Sequence, residues 1–310
     1  MSRPILFSAL ALALACVPAF AKHMYQYTDA SGITHFTDIK PDETVGEVKS
    51  TLVRTDHQPL LRLDESGPDS DRSVAFINGS GGPVSVQITF EQSSNVASDP
   101  PLPAMVVAAP LGATHALQIR PVDSRAGYRY KYVFKYMPGD YRAVQDSNAT
   151  YRVPFDETTE TFRVDQAFHG RFSHHDAQNE YAVDIAMPNG TPVLAARDGV
   201  VMTVDNDFFG NGLDMAQYGD RANNIRIVHA DGAMSVYAHL QLESARVHVG
   251  QHVKAGHVIA LSGDTGYASG PHLHFCVQMN KDMQLVAVPF QFADARGTFT
   301  PQQGQTLGGR

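Results

Sequence analysis

Gly270-Pro271-His272-Leu273-His274-Phe275, with Ser262-Gly263-Asp264-Thr265-Gly266 just ahead of it, decides how the C-terminal half of this chain is read. His272 and His274 stand two apart in an apolar run. In a β-strand, side chains at i and i+2 point to the same face. Both imidazoles then project into one site, which a metal or a catalytic pair uses and an ordinary apolar core does not. The glycines ahead of them let backbone approach closely, as the wall of a cleft requires.

Working outward, two further stretches place polar groups where an apolar strand is expected. In Tyr181-Ala182-Val183-Asp184-Ile185-Ala186-Met187-Pro188 a carboxylate is flanked by apolar residues. Such a group is costly unless it is paired or bound to a metal. A buried salt bridge is the plain alternative. Ahead of it lies Ser173-His174-His175-Asp176. In Val236-Tyr237-Ala238-His239-Leu240 a histidine ends an apolar run, where a hydrogen-bonded core histidine is the plain reading. Six of the 14 histidines, His169, His174, His175, His239, His272 and His274, lie among unusual local sequences in the C-terminal half.

The blocks occur in an order that resembles the lysostaphin-type, or LytM and β-lytic, zinc metallopeptidases, from about Arg152 to Phe290. The matching pieces are a His before an Asp-hydrophobe segment, Gly190-Thr191-Pro192-Val193 with Ala196-Arg197-Asp198-Gly199-Val200-Val201, Tyr237-Ala238-His239-Leu240, and the two stretches quoted first. Val249-Gly250-Gln251-His252-Val253-Lys254-Ala255-Gly256 adds a fifth. The resemblance implies Zn2+ as cofactor, with His174, Asp184 and His274 as its ligands and a fourth position for water. His239 and His272 then take the two catalytic positions that do not bind metal. His239 is expected to orient or deprotonate the water and His272 to stabilise the oxyanion, with the two roles exchangeable. The ten-residue spacing from His174 to Asp184 is longer than the four found in many members. It leaves His174 and His175 as neighbouring candidates, of which a strand offers only one to the site. Cys276 falls on the same strand face as His272 and His274 and is read as a buried neutral thiol.

The resemblance implies hydrolysis of peptide cross-links in bacterial peptidoglycan, the D-Ala-diaminopimelate bond being favoured. Two alternatives remain: a non-catalytic member that binds wall peptides or activates another hydrolase, and a D-Ala-D-Ala carboxypeptidase. No His-Glu-x-x-His or Gly-x-Ser-x-Gly motif supports another hydrolase class. A formal net charge of -8 argues against a nucleic-acid partner, and it gives an anionic wall polymer no general attraction either. Affinity for peptidoglycan peptides must be local.

The rest of the chain has period-two or turn-rich patterning, so the expected fold class is all-β throughout. Arg3, the apolar run Leu6 to Val17 and Ala19-Phe20-Ala21 read as a signal peptide over residues 1–21, which places the protein in the periplasm or outside the cell. No later stretch is long and apolar enough to span a bilayer, so no stable membrane insertion is expected after cleavage. A lipid anchor on Cys16 is the alternative, and the Ala13-Leu14-Ala15 ahead of it matches such a site poorly. Residues 22–45, with alternating aromatics around Asp29-Ala30-Ser31-Gly32, read as a β-hairpin and resemble a small uncharacterised proteobacterial envelope module. Residues 46–72 read as a linker. Residues 73–150 read as a small β-sandwich, because Val84, Val86, Ile88 and Phe90 alternate with polar residues, as do Tyr128, Tyr130, Tyr132, Phe134 and Tyr136. That aromatic stripe is read as the core face of a sheet, with a sugar- or peptide-binding face as the alternative. Residues 151–290 make the peptidase domain, and the polar, glycine-rich residues 291–310 are expected to be a mobile tail.

Overall fold

The computed structural model describes residues 21–29, 31–37, 40–41, 47–54, 59–219 and 221–309. The residues ahead of Ala21 that read as a signal peptide, with Cys16, lie outside them. The chain divides into two units, Met1–His57 and Gln58–Arg310. Among the described residues the structure is all-β, apart from one turn of helix at Met215–Tyr218. No helix among them is long and apolar enough to cross a membrane.

In the first unit Ala21–Thr28 and Thr34–Thr37 pair antiparallel. Asp29 closes the turn by accepting from the Ser31 and Ile33 amides, and Gly32 takes the left-handed conformation that it needs. The expected hairpin is corrected to three strands, because Lys49–Arg54 adds to the other edge of Ala21–Thr28. An isolated hairpin is marginal in water, and a third strand supplies the missing ladder.

The second unit begins with a β-sandwich. One sheet runs Leu61–Ser66, Arg72–Asn78, Gly112–Pro121, Val96–Asp99, and the other Arg129–Pro138, Val84–Ser94, Ala104–Ala108. Val74, Phe76, Val84, Val86, Ile88, Leu117 and Ile119 fill the space between them. The expected linker to residue 72 is therefore corrected: Leu61–Ser66 is a full strand whose Leu61 is buried. Its apolar positions, Leu61 and Leu63, are too few to outweigh the Asp-Glu-Ser-Gly-Pro that follows. The aromatic stripe is also revised in part. Tyr132, Phe134 and Tyr136 lie opposite Phe90, Ile88 and Val86, on the core side. Arg129–Pro138 is nevertheless an edge strand, so Phe134 and Tyr136 stay 36% and 42% exposed.

The C-terminal half is organised on a nine-stranded sheet in which Gly199–Asp205, Asn224–Val228, Met234–Ala238, Leu273–Lys281, Val183–Ile185, Thr161–Gln166 and Thr306–Gly308 follow one another across the sheet. Val201, Ile225, Ile227, Tyr237 and Phe275 point to one face and pack with Tyr151, Phe155, Phe290 and Phe292 into the main core. Each such fully buried side chain contributes about 1.5–3 kcal/mol of hydrophobic stabilisation. Alternation sends Met234, Val236 and Ala238 to the other face, opposite Gln278, Cys276 and His274. Along that face the environment changes in steps. Met234 joins Met202 and Val228 in the sandwich core, Val236 and Cys276 form a small cluster with Ala182, and His274 opens into a cleft. Sandwich and C-terminal sheet thus share one core. They meet so closely at Gly81 that a Cβ there would stand 2.1 Å from the Val201 carbonyl oxygen.

The expectation of a mobile tail from residue 291 is corrected too. Gln291–Asp294 pairs with Thr150–Arg152 and with Gly297–Phe299, while Thr306–Gly308 pairs with the start of Thr161–Gln166. Phe292 and Leu307 are buried. Two apolar anchors suffice when open strand edges already offer the backbone its hydrogen bonds.

Candidate metal centre and catalytic cleft

Strand register assembles the centre. Asp184 is paired directly with His274, and His274 on its other side with Ala238, the residue before His239. His239 directly follows its strand, with φ of 61°, in the left-handed region that a non-glycine residue adopts at a cost of about 1–2 kcal/mol. Its Nδ1 donates to the Thr265 carbonyl at 2.7 Å. His272 lies in an isolated bridge with Gly263 and donates from Nδ1 to the Gly270 carbonyl at 2.8 Å. A carbonyl oxygen only accepts, so in both neutral rings Nε2 carries the lone pair. The two rings lie 4.5 Å apart between centroids.

His174 comes from the loop between Thr161–Gln166 and Val183–Ile185 and is fully buried. Its Nδ1 donates to the Ala167 carbonyl at 3.0 Å, and its Nε2 stands 3.1 Å from Asp184 Oδ1. His274 Nδ1 stands 3.0 Å from the same oxygen. Asp184 Oδ2 faces away and accepts from Gln166 Nε2 at 2.9 Å. His174, Asp184 and His274 each offer one ligand atom, all within 4.8 Å of one another. The donor set suits a cation: with Nδ1–H committed to Ala167, the Nε2 lone pair of neutral His174 is aimed at a carboxylate oxygen, an arrangement that only a proton or a metal relieves. Two imidazoles and one carboxylate are a zinc-type set.

The electrostatics follow the same geometry. Burial pushes the Asp184 carboxyl up, but His174 and His274 outweigh it and hold it well below the usual range. Burial opposes charge on His174, and Asp184 more than offsets it, so that its pKa is raised. Burial lowers His274 against the pull of Asp184. Packing, aided by His272 and His274, pushes His239 down to about 3. His239 is thus a neutral base across the physiological range.

His175 is exposed and lines the cleft without joining the three-atom group. His169 also lines the cleft, with its ring edge-on to Tyr181 at 4.9 Å. Cys276 is buried with Ala182 and Val236, and burial pushes its thiol up to about 12. The cleft holds about 1180 Å³, and Phe172, Tyr267 and Thr300 are among the residues along its walls. Phe172 and Tyr267 stack across it at 5.9 Å.

Residues that the motifs did not reveal complete the setting. Asn223, fully buried, bonds Phe208 and Leu240, and its amide is held by Thr265 Oγ1. Gln166 is the second. Its signal in the sequence is a glutamine at the next period-two position after Phe162 and Val164, where an apolar residue is expected.

Two stretches of the chain resemble known families. Residues 178–285 match the model of Peptidase family M23, and residues 10–55 match a domain of unknown function (DUF4124). Residues 178–285 therefore make up a Peptidase family M23 domain. The glycyl-glycine endopeptidase ALE-1 of Staphylococcus capitis is 39% identical over 97 residues, which is 31% of this chain and 24% of that protein. The DD-carboxypeptidase/endopeptidase Mpg of Neisseria meningitidis serogroup B is 39% identical over 98 residues, 32% of this chain and 20% of that protein. The chain thus spans about a quarter or less of the length of these relatives. Among solved structures, the catalytic domain of lysostaphin from Staphylococcus simulans is 26% identical, covering 46% of this chain and 88% of that one, with a TM-score of 0.29.

Proposed function

We propose that this protein is a zinc-dependent endopeptidase of the bacterial envelope, in the periplasm or outside the cell, that hydrolyses peptide cross-links of peptidoglycan, with the D-Ala-diaminopimelate bond preferred. The observation that carries the reading is the convergence of His174, Asp184 and His274 beside two imidazoles that turn free Nε2 atoms toward the same cleft. Zinc bound by those three residues supplies a Lewis acid that polarises the scissile carbonyl and acidifies water. His239, with Nδ1–H held by Thr265, lines the cleft with its Nε2 lone pair available to orient or deprotonate the water. His272 lines the same cleft with its Nε2 3.8 Å from Asp184 Oδ1, and we assign it to the developing oxyanion. The Nδ1–H bonds to Thr265 and Gly270 hold each ring in place while Nε2 gains or loses its proton. A cleft of about 1180 Å³ suits a stretch of peptide better than a single small molecule.

A second reading, carboxypeptidase action on terminal D-Ala, is favoured by the relative whose name joins both activities. Purified sacculi incubated with the protein and with His274→Ala, followed by mass analysis of released muropeptides, separate the two. Loss of cross-linked muropeptides with the parent protein only supports the endopeptidase. Free D-Ala with intact cross-links establishes the second reading, and equal digestion by both proteins refutes the assigned centre.

A further inference from the structure

Gln166 makes four hydrogen bonds with one amide and is only 7% exposed. Its Oε1 accepts from the Phe172 and Ser173 backbone amides at 2.8 and 3.3 Å, and its Nε2 donates to Ser173 Oγ at 2.8 Å and to Asp184 Oδ2 at 2.9 Å. Backbone N–H groups only donate, so the amide has one orientation, with its NH2 toward the carboxylate. All its hydrogen-bonding capacity is used.

Two backbone features make room for this side chain. Thr161–Gln166 pairs with Val183–Ile185 through an irregularity: Val164 lies opposite Ile185, and Gln166 opposite Asp184. Two residues on one strand thus answer to one on the other. The extra residue reverses the face of Gln166 relative to Phe162 and Val164, turning it from the main core to the side that holds Asp184. Gly170 then passes so close that a Cβ there would stand 2.1 Å from Gln166 Cγ.

We infer that Gln166 is the positioning residue of the metal centre: it occupies Asp184 Oδ2, leaving Oδ1 alone to serve as ligand, and the same amide holds the loop that delivers His174. This rests on the reading of the centre as a zinc site. A carboxylate with one oxygen held by a fixed donor binds through the other. Without that donor both oxygens are available, and both the carboxylate and the His174 loop are free to turn.

The test measures metal binding rather than hydrolysis. Zinc affinity is read by competition with a chromophoric chelator, and coordination by the visible spectrum of the cobalt-substituted protein. Gln166→Met and Gln166→Glu are expected to weaken zinc binding about 10–100-fold and to shift the cobalt bands. In metal-free protein, Gln166→Glu keeps the acceptor for Phe172 and Ser173, so it retains amide-exchange protection there, whereas Gln166→Met loses it. Ser173→Ala leaves zinc affinity within about threefold, since it removes one contact and spares the bond to Asp184. Gly170→Ala leaves every hydrogen-bonding group in place but displaces Gln166, so it weakens zinc binding too, and it decides the matter where Gln166→Met does not fold. Wild-type zinc affinity with an unchanged cobalt spectrum in Gln166→Glu and Gly170→Ala overturns the inference while leaving the zinc site standing. A wild-type protein that takes up neither metal overturns the zinc reading itself.

Discussion

His229 gives the fold a pH dependence that can be worked out in advance. It is 4% exposed, donating from Nδ1 to the Asp198 carbonyl at 2.8 Å and accepting at Nε2 from Ser235 Oγ at 3.0 Å. Ser235 Oγ lies 3.2 Å from the Tyr237 hydroxyl, which accepts from the Ala196 amide. This relay braces the strand that ends in His239. Burial pushes the pKa of His229 from 6.5 down to about 4. Between those values the unfolded chain binds a proton that the folded one refuses, so stability falls as pH drops through 6.5 and levels off below about 4. Above 6.5 both states are neutral and the group adds no slope. At about 1.4 kcal/mol per pKa unit, the full loss is about 3 kcal/mol. The assay is urea unfolding of chelator-treated wild type and His229→Asn at several pH values from 7.5 to 4.5. The variant lacks the titrating ring and keeps every other ionisable group, so the wild-type advantage at pH 7.5 shrinks by most of that amount by pH 4.5. Parallel curves for the two proteins refute the reasoning.

Three other outcomes follow from the geometry. His174→Ala abolishes stoichiometric zinc binding at micromolar metal, whereas His175→Ala, altering an exposed side chain, stays within about twofold; equilibrium dialysis with metal analysis distinguishes them. His239→Ala and His272→Ala keep zinc and lose about 10²–10⁴-fold in muropeptide release, the range for removing a general acid or base. Gly81→Ala drives a Cβ against the Val201 carbonyl and lowers stability by about 1–3 kcal/mol by urea unfolding, with metal affinity unchanged.

The sequence was most informative where local pattern and final contact coincide. His272 and His274 point into one region because the strand period says so, and Asp184 stood out because a carboxylate interrupts an apolar strand. Resemblance alone favours His174 over His175; the physical reason, which side of a loop turns inward, has no local signal in the sequence. Gln166 was hidden because its period-two position assigns it to the main core, and an irregularity in pairing with Val183–Ile185 reverses that face. Leu61–Ser66 and Thr306–Gly308 were obscured by polar and glycine-rich composition. Leu61–Ser66 is one arm of a hairpin with Arg72–Asn78 whose polar turn masks it, whereas Thr306–Gly308 owes its order to the edge of Thr161–Gln166. A partner as far away in sequence as the latter leaves no local trace.

The apolar patch of Met202, Val228 and Met234 ties the two halves of the larger unit into one heritable piece. A recombination event that moved residues 151–310 alone into another gene would deliver a peptidase sheet with three uncovered side chains and a gap where Gly81 had rested. The recipient would need a matching cover before the transplanted domain stayed dispersed in water. Exchange of parts across this boundary is therefore constrained by the packing at one end of that sheet face rather than by the chemistry at its other end.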